Sequence, residues 1–170
     1  GLCVWTPPTG DQVAFPLPTT PPIFPWGKPY DVKPDEPLCA LGRSDGSMEI
    51  WHLSTGTRVI AWAAHRDPIS AVAFSSNGKR LATGTTKGEV KIWDVDGWRE
   101  VMRFGSMNYK LDCLAFSPDG DTVAASGESS DVRLGAVSTE RPARHRGGQG
   151  DWVPPVAFSL HGPRRATATV

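Results

Sequence analysis

The apolar positions of this chain fall in short runs broken by turn residues. Ile69-Ser-Ala-Val-Ala-Phe74 is one such run, with no helix caps at its ends. Ser76-Asn-Gly-Lys79 then reads as a turn in which Gly78 supplies the positive φ such turns use. Arg80-Leu-Ala-Thr-Gly84 predicts a second strand, and Thr86-Lys-Gly88 another turn. Glu89–Val95 predicts a third strand, with Glu89 and Lys91 outward against inward Val90 and Ile92. Asp96-Gly97 turns the chain into Arg99–Phe104, a fourth and more polar strand that suits an outer edge. The first two strands are apolar and small on both faces, which predicts a sheet sandwiched between neighbours.

The whole pattern repeats. Ala73-Phe74-Ser75 returns as Ala115-Phe116-Ser117 and again as Ala157-Phe158-Ser159, 42 residues apart each time. Ile50-Trp51 returns as Ile92-Trp93, Val59 as Val101, Trp62 as Phe104, and Gly78 as Gly120 and Gly162, all without a gap. Four short strands per 42 residues is the period of a propeller blade. The stretch from Ala64 through His65 and Ala73-Phe-Ser75 to Gly84, followed by Val90-Lys-Ile-Trp-Asp94, resembles a WD repeat. Leu114-Ala-Phe-Ser-Pro-Asp-Gly120 is similar to the first-strand signature of that family. The resemblance covers roughly Leu38 to Val170 and implies an all-β fold of four-stranded antiparallel WD-type β-propeller blades.

It also implies a polar network in each blade: a His before the first strand, a Ser or Thr on the second, an Asp in the next turn and the Trp of the third. The second repeat keeps His65, Thr85 and Trp93 but has Lys87 at the Asp position. The first keeps Asp45 and Trp51 but has Ile23 for His, and the third has Met107 for His and Gly135 for Trp. No repeat holds the full set, so apolar burial is expected to carry the blades. The resulting division is a Pro-rich leader at 1–37, with ten prolines, a partial first blade at 38–64, a second at 65–106, a degenerate third at 107–148 and the start of a fourth at 149–170. Within the leader, Thr9–Phe15 predicts one strand. The Arg141–Arg146 run reads as an exposed loop, and Pro154-Pro155 interrupts the next first strand. Closed propellers use roughly four to eight blades, whereas two to four are legible here. A piece of a longer protein is therefore the expectation; closure with another chain and an open array are the alternatives.

Composition narrows the function. Lys and Arg number 18 and Asp and Glu 18, so net charge is zero, which argues against a polyanion binder. Cys3, Cys39 and Cys113 are odd in number and lack metal-ligand or disulfide-framework spacing, so reduced thiols in a cytoplasmic or, in a eukaryote, nuclear compartment are expected. No apolar run approaches the ~20 residues of a membrane helix. The start, Gly1–Trp5, shows neither the basic end nor the apolar run of a signal peptide and no initiator Met, so a processed chain or a fragment is the expectation. His52, His65, His145 and His161 do not pair for metal binding, and no nucleophile elbow, P-loop or zincin motif occurs. Trp98, on a turn, could be exposed at an interface or packed locally.

The expectation is a non-enzymatic protein or peptide scaffold without a cofactor. The alternatives are a regulatory or sensor propeller segment attached to a kinase or protease, and a propeller enzyme with its site in a central channel. In the family the resemblance points to, partners dock on the loops before the first strand and between the second and third. Here those loops offer Arg43, Asp45, His65, Arg66, Asp67, Lys87, Asn108, Tyr109 and Lys110 as candidate contact residues.

Overall fold

The computed structural model describes residues 3–6, 11–14, 29–104, 109–137, 144–147, 156–158 and 166–168. Every regular element among them is a strand. An N-terminal hairpin pairs β1 (Cys3–Thr6) with β2 (Asp11–Ala14), the latter inside the strand expected at Thr9–Phe15. The first blade is β3 (Tyr30–Val32), β4 (Leu38–Gly42), β5 (Ser47–His52) and β6 (Thr57–Ala63). The second is β7 (Ile69–Phe74), β8 (Arg80–Thr85), β9 (Val90–Asp94) and β10 (Arg99–Phe104). The third is β11 (Leu111–Phe116), β12 (Thr122–Gly127), β13 (Ser129–Ala136) and β14 (Arg144–Gly147). A last hairpin joins β15 (Val156–Phe158) to β16 (Ala166–Ala168). Each blade is an antiparallel meander in chain order. The innermost strands neighbour one another in sequence, β3 against β7, β7 against β11 and β11 against β15. This is an open, incomplete propeller.

Two local readings change. The sequence places Tyr30–Val32 in the Pro-rich leader, yet it is the innermost strand of the first blade. Lys33-Pro-Asp-Glu-Pro37 closes the hairpin in the register of the later turns. Lys33 N donates to Leu38 O, as Ser75 N does to Arg80 O and Ser117 N to Thr122 O. Pro34 and Pro37 fall in the turn, where the missing N–H costs no ladder bond. At the other end, the Arg-rich run reads as a loop, but Arg144–Gly147 pairs with β13, Arg144 opposite Leu134. A backbone ladder at an outer edge does not require apolar side chains.

The core lies between blades, and the pleat divides it. Along β7, Ile69, Val72 and Phe74 join Met48, Ile50, Leu81 and Trp93 in the cluster between the first and second blades. Ala71 and Ala73 turn the other way, joining Ala82, Val90, Ile92, Leu111 and Val123 between the second and third. A register shift between Ile69 and Ala71 moves the phase once, and alternation from Ala71 to Phe74 thus serves two apolar interfaces.

The same pleat explains the loss of a Trp at Gly135. Trp62 on the outer strand of the first blade packs edge-on against Trp93 of the second, centroids 5.4 Å apart. One repeat later Phe104 lies over Gly135, where an added Cβ would come within 2.5 Å of its Cζ. Trp98, held at φ 49°, is half-buried and stacks 5.6 Å from Trp62, so local packing accounts for it.

The hairpin turns between the two inner strands stack in the same order. Ser75 Oγ donates to Asn77 Oδ1 at 2.8 Å, and Ser117 Oγ to Asp119 Oδ1 at 2.5 Å. Lys33, one repeat earlier, does the same work with an ammonium, donating to Asp35 at 2.7 Å and Glu36 at 2.9 Å. Burial pulls its pKa down, but these two acceptors outweigh that and hold it above its usual value. Ser76 Oγ donates to Pro118 O, and Asp31 Oδ2 accepts from Phe74 N, tying neighbouring blades together by polar contacts as well.

Candidate functional site

At the opposite end of the strands from those turns, backbone bonds stitch the candidate loops to one another. Gly46 O accepts from both Ala64 N and His65 N, Arg43 O accepts from Ile69 N, and Pro68 O accepts from Thr86 N. Glu128 N donates to Lys110 O in the third blade. Gly46 holds φ 81°, and a Cβ there would collide with the His65 carbonyl, so glycine permits this join.

His65 is buried beneath this face at the centre of a hydrogen-bonded chain. Trp93 Nε1 can only donate, and it donates to Thr83 Oγ1 at 2.9 Å. The Thr83 hydroxyl then donates to His65 Nε2, 2.7 Å away, which puts the imidazole proton on Nδ1. Nδ1 donates to Glu89 Oε2 at 2.7 Å. Burial lowers the His65 pKa, with Glu89 opposing it, so the ring is neutral.

This corrects the expectation that the second blade lacks a full network. The hydroxyl is that of Thr83, not Thr85, and the acid is Glu89 just before β9, not the residue at 87. Thr85 Oγ1 instead accepts from Glu89 N at 3.1 Å and closes the turn. Nor do Glu89 and Lys91 point to open solvent. They share the Trp93 side of β9 and face the first blade, because a blade has a neighbour on each side. Lys91 Nζ donates to Ala64 O at 2.7 Å, pairs with Glu100 at 3.3 Å and lies 5.7 Å from the Trp93 ring centroid.

The first blade solves the same problem differently. Leu41 stands where Thr83 would be one repeat earlier, so Trp51 Nε1 donates to the buried Glu49 at 2.9 Å. Arg58 and Arg43 neutralise Glu49, at 3.2 Å and 3.5 Å. The third blade has Ala125 and Gly135 at the Thr and Trp positions, hence neither group.

The candidate contact residues therefore separate. Arg43 is committed to Glu49. Asp45 is exposed but turns back to accept from Ser47 N at 2.9 Å and Ser47 Oγ at 2.6 Å, which holds its pKa below the usual carboxylate range. His65 belongs to the network, Tyr109 packs on the core between the second and third blades, and Lys110 pairs with Asp112 at 2.7 Å. Asn108 lies outside the described residues. Arg66 and Lys87 are exposed, Asp67 is half-buried, and none of the three forms an ion pair among the described residues. All three line a groove of about 660 Å³ between the first two blades, together with Ala63, Ala64, His65, Glu89, Lys91 and Arg103. Sequence reasoning missed Glu89, Lys91 and Arg103 as groove residues; their only signal was alternation, which reads the same for solvent and for a neighbouring blade.

Among the described residues no three His, Cys, Asp or Glu side chains gather to hold a metal ion, and no helix is long and apolar enough to cross a membrane.

Four-stranded antiparallel sheets at a constant repeat, inner strands side by side and a Trp–Thr–His–acid chain within a blade, define an array of β-propeller blades. The profile of the WD domain, G-beta repeat, matches residues 56–94 and 101–134. These two segments are WD repeats by that profile, lying across the blades of the WD-type fold. The matched segments each begin on or beside the outer strand of one blade and end on the third strand of the next, so the sequence repeat straddles the structural one. Over 51 residues, 30% of this chain, it is 43% identical to eukaryotic translation initiation factor 3 subunit I of Scheffersomyces stipitis and 39% identical to that of Candida albicans. That match spans 14% of either relative's length. Among solved structures, U3-55K and the WD40 repeats of RRP9 superpose with a TM-score of 0.68 at 21% identity. The superpositions cover 75% of this chain and 41% and 40% of those chains, and they establish the fold.

Proposed function

We propose that the chain is a non-enzymatic scaffold that holds protein or peptide partners on the loop face containing Asp45, Arg66 and Lys87. The observation that carries this reading is the exposed polar surface left on that face. Backbone bonds fix the loops in place, the blade's internal network consumes His65 and Glu89, and the charges of Arg66 and Lys87 are left unspent. A rigid platform with uncommitted charge suits recognition without chemistry. The curated relatives are named as subunits, which supports a role within an assembly. The compartment we assign is the cytoplasm or, in a eukaryotic host, the nucleus; the wide spacing of Cys39 and Cys113 supports a reducing environment.

The test is site-specific photocrosslinking in the native host. A photoreactive residue at position 45, 66 or 87 is expected to capture other polypeptides, while the same residue at 77 or 119, on the turns at the far end of the strands, captures none. Equal capture at both ends, or capture at the far end alone, would overturn the reading.

A further inference from the structure

We infer that the groove between the first and second blades is a docking site for an acidic peptide segment, whose carboxylates are bound by Arg66 and Lys87. This rests on the scaffold reading and names the chemistry of the partner.

The argument is a charge inventory. Among the acids of the groove, Glu89 is already engaged by His65 at 2.7 Å. Among its bases, Lys91 is held by Ala64 O and Glu100, and Arg103 by Glu100 at 2.7 Å. What remains is Arg66 and Lys87 against the single carboxylate of Asp67, an excess of positive charge on a rim that is otherwise neutralised. Position 87 shows how the excess arises. One repeat earlier it is Asp45, which folds back onto Ser47 and closes its own turn. An ammonium cannot accept those bonds. Thr85 Oγ1 and Glu89 have taken over the turn and the network, and the Lys87 side chain is released to the exposed rim.

The same inventory selects the class of partner. Among the described residues no Trp, Tyr or Phe lines the groove and the His65 side chain is buried in its network, so a nucleic acid would find phosphate contacts without a base-stacking platform. The chain's net charge of zero supplies no long-range field for an extended nucleic-acid backbone. A peptide needs only local charge and a concave seat, and ~660 Å³ accommodates several side chains.

The experiment titrates the protein with fluorescent oligo-glutamate, oligo-lysine and single-stranded oligo-uridylate probes at two salt concentrations. Oligo-glutamate is expected to bind, more weakly at high salt. The double charge reversal R66E/K87E is expected to weaken it about tenfold or more. The conversion K87D, which restores the acid found at position 45, is expected to weaken it without changing the urea midpoint. Because both side chains are exposed, circular dichroism should report the native fold for every variant. Failure of oligo-glutamate to bind, equal binding by R66E/K87E, or tighter binding of oligo-uridylate than of oligo-glutamate would overturn the inference. The photocrosslinking result would stand apart: capture at positions 45, 66 and 87 of a partner with no acidic segment keeps the scaffold and discards the acidic ligand.

Discussion

Thr83 is the hinge of the second blade's polar chain, because one hydroxyl serves both Trp93 and His65 with no exposure of its own. Thr83→Val removes it while keeping the shape, and strands a buried donor and a buried acceptor. The expected cost is about 3 kcal/mol, read as a lower urea midpoint. Thr85→Val, which strands only backbone donors beside the exposed Lys87, should cost about 1 kcal/mol, since water can replace the lost acceptor. A reversed order would mean that Thr85 closes the network. His65 also gives the fold a pH dependence. Burial lowers its pKa in the folded state below the ordinary 6.5, so below that value the unfolded chain binds the extra proton more readily. Stability is therefore fully present above about pH 6.5 and falls as the solution is acidified through the folded-state value. Urea midpoints measured from about pH 7.5 down to about pH 5 should decline, and His65→Gln should flatten the slope.

At the scale of the element, the repeat conserves geometry and lets chemistry vary. The inner hairpin turn is closed by a buried ammonium at Lys33 and by hydroxyls at Ser75 and Ser117, all with the same backbone bond across the turn. The Trp of the third strand meets a carboxylate in the first blade, a threonine in the second, and is replaced in the third by Gly135 with Phe104 laid across it. Turn length and pleat fix where a side chain stands. Several residue types can then satisfy the same place, provided each buried polar atom finds a partner.

For the whole molecule, the consequence of two separate apolar clusters is that stability is shared between adjacent blades. Leu81, fully buried between the first and second blades, is the sharpest probe. Leu81→Ala should cost about 3 kcal/mol. In amide hydrogen exchange it should reduce protection in β5, β8 and β9 more than in β12, whose Val123 and Ala125 pack in the other cluster. Uniform loss across all three blades would instead mean that the array unfolds as one unit.

The sequence by itself determined the period, the strands Ile69–Phe74, Arg80–Gly84 and Arg99–Phe104, and the resemblance to WD repeats, because turn chemistry and alternation are local and recur at equal spacing. It also brought Arg66, Asp67 and Lys87 into one set of candidate loops. Only the tertiary structure decided that Tyr30–Val32 and Arg144–Gly147 complete their blades, that Thr83 and Glu89 rather than Thr85 and residue 87 finish the network, and that Lys91 faces a groove. Those outcomes depend on partners 24 residues apart, as for His65 and Glu89, or on a neighbouring blade, as for Asp31 and Phe74 at 43. A pattern of period two says which side of a strand a residue takes. What waits on that side, water or another sheet, is settled when the blades pack.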